Sequence, residues 1–200
     1  MKLPIEFYQS KEVVDIAYNL LGKYLFTNIN GEISGGFITE TEAYNGIIDK
    51  ASHAYGNRQT NRTKTMYAAG GVAYVYLCYG IHEMLNVVTS EEGEPHAVLI
   101  RAINPTAGLE LMLERRNMIS LKNNITAGPG SVAKALGVNR TMNGLSFLSD
   151  EIWIEDRSLS FSKEEIAAVP RVGVAYAKED ALLPYRFYVK GNPFVSKPNR

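Results

Sequence analysis

The sequence predicts an α+β fold: one mixed, mostly antiparallel β-sheet with surrounding helices and a protruding β-hairpin. Three observations predict it. Short apolar runs recur with period-two spacing, turn signals such as Asn30-Gly31 separate them, and helical spacing appears only in brief stretches. Val13, Val14, Ala17, Leu20 and Leu21 carry such spacing, with Ser10 as a cap and Gly22 as a stop. Residues 24–29 read as a strand and residues 35–44 as a second. Residues 70–89 read as two apolar strands joined near Tyr79-Gly80, and residues 96–103 as another. Leu109, Met112, Leu113 and Arg116 follow helical spacing after a start at Thr106. The Gly-Pro-Gly at 128–130 opens a helix that Gly137 ends. Residues 152–154 form a strand, Ser162 and Glu165 have capping-box spacing, and residues 171–176 and 186–190 read as closing strands.

Composition bounds the function. The chain has 200 residues, which fits a single domain over 1–200. Its one cysteine, Cys78, allows no internal disulfide and fits a reducing, cytoplasmic setting. The first residues, MKLPIEFYQS, lack the apolar run of a signal peptide, and no apolar stretch approaches the length of a membrane span. Lys+Arg and Asp+Glu both number 21, so a strong non-specific polyanion binder is not expected, although a local basic face can suffice. His53, His82 and His96 have no metal-site spacing, and no phosphate-binding or nucleophile-elbow motif is present. Neither a metal nor a cofactor is expected.

A few residues stand out chemically. Period-two spacing places Ile38, Glu40, Glu42 and Tyr44 on one strand face. Two carboxylates there are costly to bury unpaired, so they either reach solvent or meet cations. A carboxylate in a partly dry cleft can serve as a general base on water; composition alone favours a solvated strand edge. Residues 45–71 form a long polar loop, a feature that in a compact domain is usually functional or disordered. The loop carries His53, suited to stacking or hydrogen bonding, and Arg58, Thr60, Arg62 and Lys64, a mixture suited to phosphate contacts. Tyr79 at a hairpin tip is hard to explain by packing, and DNA-opening proteins use such tips as wedges. Asn86 and Arg101 stand inside apolar strands. The amide requires a backbone partner or a ligand edge, and the guanidinium requires a carboxylate or an anion.

In this order, LLGKYL at 20–25, ETEAY at 40–44, SHAYGNRQTNR at 52–62, YVYLCYG at 74–80, Asn86, LIRAINP at 99–105, GPG at 128–130 and RFYVKGNPFVS at 186–196 resemble the alkyladenine (3-methyladenine) DNA glycosylase family over nearly the whole chain. The resemblance implies a monofunctional enzyme of base excision repair that flips an alkylated purine out of double-stranded DNA. Glu42 matches the general base, with Arg101 beside the catalytic water. Tyr44, His53 and Tyr76 match the residues that sandwich the base, and Asn86 the one that disfavours guanine. Tyr79 matches the wedge; Arg58 and Thr60 match phosphate contacts. Ile81 and His82 stand at DNA-contacting positions where mammalian members carry a Met and an aromatic residue. The long basic N-terminal tail of mammalian members has no counterpart, which together with the balanced charge implies a minimal bacterial enzyme with weak non-specific DNA binding; a cytoplasmic, nucleoid-associated enzyme is expected, with a monomer as the default. Hypoxanthine and etheno-adenine, as neutral leaving groups, would need acid assistance, and the sequence names no residue for it. On the residues alone, a non-catalytic nucleic-acid binding module and a small-molecule hydrolase using Glu42 and His53 stay open.

Overall fold

One 13-residue strand organises the chain. In a computed structural model, which describes residues 1–197, this strand is β2 (Glu32–Tyr44), and it follows β1 (Tyr24–Ile29) through a two-residue turn. Asn30 and Gly31 in that turn have φ of 55° and 87°. Two left-handed residues give the hairpin turn whose twist matches that of its strands, the turn that Asn-Gly predicts. The first half of β2 pairs with β1. Near its end, Glu40, Thr41 and Glu42 pair with β8 (Arg186–Val189), and the other edge of β2 pairs with β5 (His96–Ala107). Beyond β5 lie β4 (His82–Thr89) and β3 (Ala73–Cys78); β6 (Ile152–Glu155) borders β1, and β7 (Ile166–Val169) pairs with β8. The order is β3-β4-β5-β2-β1-β6, with β7 and β8 off that path, and every pairing between these strands is antiparallel.

The β2–β5 ladder is irregular where function is expected. Ile38 pairs with Ile103, Glu40 with Ala102 and Thr41 with Ile100, which leaves Thr39 and Arg101 without cross-strand partners in this ladder. Such bulges re-aim side chains. The freed Arg101 carbonyl accepts from Gly128 N at 3.0 Å, and Ala102 bridges to Ala127.

Helices cover the sheet. In α4 (Pro129–Leu136), Pro129 stands in the first turn, and Val132, Ala133, Ala135 and Leu136 are buried, the helix lying on β4 and β5. Gly137 ends it at φ 69°, as predicted. Packed against β2 is α2 (Val13–Asn19), while α3 (Leu109–Arg116) lies against α4. None of the helices in the described residues is long and apolar enough to cross a membrane.

Four readings of the sequence differ from the structure. A short α1 (Ile5–Tyr8) precedes α2, and Glu12 rather than Ser10 occupies the α2 cap position, although Ser10 Oγ accepts from Glu12 N at 3.3 Å. Strand β5 continues to Ala107, so α3 starts after Gly108 (φ 67°) and not at Thr106. The capping box of Ser162 and Glu165 forms, but on a single 3₁₀ turn that leads straight into β7. Residues 171–176 are not a strand. Pro170 has no N–H to donate, Gly173 turns the chain at φ 75°, and a 3₁₀ segment runs over Ala175–Leu182.

At Gly36 the backbone of β5 leaves no room for a side chain: a Cβ there would lie 2.0 Å from the Asn104 carbonyl oxygen. Gly36→Ala is expected to lower unfolding stability by about 2–3 kcal/mol, read from urea midpoints, because the contact is backbone and cannot repack. An unchanged midpoint would contradict the close approach.

Candidate active site

The end of β2 carries two carboxylates into the middle of the sheet. Glu40 and Glu42 are both fully buried. Of the two fates open to them in the sequence, solvent or cations, the structure shows cations. Glu40 Oε1 accepts from Arg101 Nε at 2.7 Å, Arg186 Nε at 2.7 Å and Ser196 Oγ at 2.8 Å. Its other oxygen accepts from Ser196 N at 2.6 Å. Glu42 Oε1 accepts from Val172 N at 2.8 Å and lies 3.2 Å from Arg101 Nη1; its Oε2 accepts from Tyr44 OH at 2.8 Å. Arg101, turned inward at the bulge, therefore bridges both carboxylates. Burial works against its charge, but Glu42 and Glu40 beside it hold its pKa above the ordinary arginine value.

Every group bonded to Glu42 is a donor, the environment a carboxylate accepts. A carboxylate offers about four acceptor positions, and these three donors leave one for a water. Tyr44 keeps its phenolic proton: burial first, and the adjacent Glu42 charge second, push its pKa well above the usual phenol.

Tyr44 is also one wall of a small pocket. The structure brings four predicted residues together here: Tyr44 from β2, His53 from the long loop, Tyr76 from β3 and Asn86 from β4. Met66, Tyr74 and Tyr176 complete the lining with Ala51 and Ala97. Asn86 is buried and donates Nδ2–H to the Tyr74 carbonyl at 3.0 Å, so its backbone partner and its place in the pocket coexist. Arg62 Nη2 lies 3.3 Å from His53 Nε2, and His53 Nδ1 lies 3.0 Å from Tyr74 OH. Arginine can only donate, so Nε2 accepts and Nδ1–H donates to the Tyr74 oxygen. Burial first, then the charges of Arg62 and Arg58, lower the His53 pKa from 6.5 to about 4. The imidazole is neutral at pH 7, and burial pushes the Tyr74 phenol up to about 12.

Arg58 and Thr60 lie outside this pocket. With Lys50, Arg62 and Thr63 they line an adjoining groove that shares His53 and Tyr176 with the pocket. Tyr79, Ile81 and His82 stand apart, at the β3–β4 tip. Tyr79 is 89% exposed at φ 50°, with Gly80 at φ 73° and Ile81 N bonded to the Cys78 carbonyl at 3.1 Å. A tyrosine held left-handed costs on the order of 1 kcal/mol, and no burial offsets it. Ile81 is exposed; His82 is exposed too, its ring against Gly130 at the start of α4.

Three residues that the sequence reading missed hold the site closed. Arg171 donates to both Asp49 oxygens, at 2.5 and 2.8 Å, and both side chains are buried. It also donates to the Ala43 carbonyl at 2.8 Å, and its guanidinium carbon lies 4.9 Å from the Tyr44 ring centroid. Asp49 in turn accepts from Asn45 N and Ala51 N. This pair ties the loop bearing His53 to the segment bearing Val172 and Tyr176. Tyr176 seals the junction by donating from its hydroxyl to the Ala51 carbonyl at 3.1 Å. No local signal marks Asp49 and Arg171, which stand 122 positions apart. Among the described residues, no group of three or more His, Cys, Asp or Glu side chains is arranged to hold a metal ion.

The site is thus an aromatic slot beside a buried, donor-ringed glutamate. Residues 6–193 match the model of the methylpurine-DNA glycosylase family. Relatives whose names read 3-methyladenine DNA glycosylase include proteins of Bacillus cereus (strain G9842) and Clostridium perfringens (strain 13 / Type A). Each is 44% identical to the chain, over 98% of the chain and 100% of the relative. A similarly named protein of Natranaerobius thermophilus is 44% identical over 98% of the chain and 99% of the relative. The chain thus belongs to the methylpurine-DNA glycosylase family, hydrolases of N-glycosyl bonds.

Because His53 is neutral when folded, protons favour the unfolded chain between pH 6.5 and about 4. Stability is complete above that window and falls as pH drops through it, by about 2 kcal/mol at pH 4.5. The urea midpoint is expected to fall further for the unsubstituted protein than for His53→Asn between pH 7 and pH 4.5. Equal falls would show that His53 is not held neutral.

Proposed function

We propose that the chain acts as one glycosylase domain, a monomer that excises alkylated purines of the 3-methyladenine type from double-stranded DNA. The observation that carries this reading is the shared Tyr44: its ring walls the aromatic pocket while its hydroxyl donates to the buried Glu42 carboxylate.

A base inside a duplex cannot reach that pocket, so the nucleotide rotates outward at a cost of a few kcal/mol in lost stacking. Tyr79, exposed at the hairpin tip, fills the vacancy, and stacking there recovers on the order of 1–3 kcal/mol. Its left-handed backbone keeps the ring presented rather than packed. Arg58 and Thr60, in the adjoining groove, take the phosphates next to the flipped nucleotide. Ile81 and His82, beside the wedge at the hairpin tip, add further DNA contacts. The flipped base lies among Tyr44, His53 and Tyr76, where an N-methylated, cationic ring is attracted to aromatic faces. Asn86 at the pocket wall disfavours a guanine 2-amino group.

A cationic purine departs readily, so the chemistry needs one carboxylate rather than the pair of an ordinary glycosidase. Water held by Glu42 attacks the sugar carbon and passes its proton to the carboxylate. Arg101 keeps that carboxylate oriented. None of the pocket-lining side chains is a lysine, which supports a monofunctional enzyme that leaves an abasic site without cutting the strand.

The test is a panel of oligonucleotides, each with one defined lesion, scored for base release before and after alkali. Release of the alkylated purine with the strand intact until alkali is expected. Tyr79→Ala is expected to lose about tenfold more activity on paired than on single-stranded lesions, matching the lost stacking. No release from any lesion contradicts the reading, and cutting without alkali contradicts the monofunctional mechanism.

A further inference from the structure

Arg62 touches two walls of the base pocket without lining it. Its guanidinium carbon lies 4.7 Å from the Tyr76 ring centroid, and its Nη2 lies 3.3 Å from His53 Nε2. Tyr76 is shared between the pocket and an outer groove that also includes Arg62, Arg140 and Asn143. Arg62 belongs to that groove and not to the pocket lining. Its charge therefore stands one aromatic ring away from any base stacked on Tyr76. Whereas Arg101, Arg171 and Arg186 are each paired with carboxylates, no carboxylate among the described residues lies within 4.0 Å of the Arg62 guanidinium. His53, to which it donates, carries no compensating charge.

Such a fixed cation acts differently on two kinds of lesion. When the bond between the sugar carbon and the base nitrogen breaks, its electron pair goes to the base. Water supplies the new bond to the sugar carbon, and its proton goes to Glu42. A cationic base departs neutral. A neutral base, such as hypoxanthine, departs as an anion and takes a proton from solvent afterwards. Both bases gain the same electron pair, so a positive charge beside the pocket favours both cleavage steps. Only the cationic base is also repelled when it binds, so relative to free substrate the neutral base gains and the cationic base does not.

We propose that Arg62 is a specificity-determining residue that speeds the excision of neutral lesion bases and loosens the binding of cationic ones. The proposal rests on the glycosylase reading above and extends it to the class of lesion. With the base stacked about 3.5 Å beyond Tyr76, the charges are roughly 8 Å apart, and a partly developed unit charge at that separation changes a rate by about tenfold.

The experiment compares kcat/KM, read from single-turnover release at subsaturating enzyme, for hypoxanthine in a defined duplex and for 3-methyladenine in methylated duplex DNA. It uses the unsubstituted protein, Arg62→Gln and Arg62→Lys. Arg62→Gln is expected to lower kcat/KM for hypoxanthine about tenfold while changing kcat/KM for 3-methyladenine by no more than about twofold, because tighter binding of the cationic base offsets its slower cleavage. Arg62→Lys keeps the charge and is expected to keep the ratio of the two rates near that of the unsubstituted protein. Equal losses on both substrates, an unchanged ratio in Arg62→Gln, or a Lys variant that behaves like the Gln variant overturns the proposal. So does an unsubstituted protein that releases 3-methyladenine but no hypoxanthine; in each of these cases the glycosylase reading stands. No release of either base by the unsubstituted protein removes that reading and this proposal together.

Discussion

The structure depends on burying two glutamates at the centre of a sheet. A lone buried carboxylate is so costly that it would change its protonation state or unfold the strand. Here Glu40 is met by Arg101, Arg186 and the Ser196 backbone, and Glu42 by Arg101, Tyr44 and the Val172 backbone. These partners come from β2, β5, β8, the segment after β7 and the chain's C-terminal stretch. Satisfying the carboxylates therefore draws all of these segments together. The β2–β5 bulges belong to the same solution, because a regular ladder would pair Arg101 in register instead of freeing it to bridge both acids.

A second buried pair builds on the first. Asp49 and Arg171 fasten the polar loop to the 171–182 segment, and the pocket closes only where those two meet β2, β3 and β4. Removing one partner of such a pair leaves an uncompensated charge, at a cost of about 3–5 kcal/mol. Aromatic walls then need no unusual support: Tyr44 is held by Glu42 and by the Arg171 cation, Tyr74 by His53, and Tyr76 by Arg62.

Much of this was legible in the sequence, for identifiable reasons. Hairpins announce themselves locally, so Asn30-Gly31 and Tyr79-Gly80 both mark real turns. Helix ends with a Gly in the left-handed region, such as Gly137, do the same. Residues 171–176 misled because apolar alternation there reflects packing of a bent segment, while its backbone bonds go to a side chain, Glu42, rather than to a neighbouring strand. In the site, Arg101 was legible as a guanidinium in need of a carboxylate, since burial makes that demand wherever it occurs. Which carboxylate meets it was not, because bulge position is a property of the folded ladder. Glu40 shared a face with Glu42 in the sequence but emerges as the anchor of two arginines, and Asp49, Arg171 and Tyr176 carried no pattern at all. Long-range polar pairs leave no periodic trace, and an exposed Tyr such as Tyr176 looks like any other surface residue.

The central claim is that Glu42, buried and ringed by donors, passes a water's proton away while the rest of the pocket only binds. The direct measurement pairs lesion-duplex affinity with single-turnover base release for Glu42→Gln, in protein shown to be folded by its urea transition. The amide keeps the size of the side chain but is a far weaker base. Affinity within about threefold of the unsubstituted protein and a release rate lower by at least about a hundredfold are expected. A folded Glu42→Gln protein that binds the lesion and still releases the base at the original rate would contradict the claim.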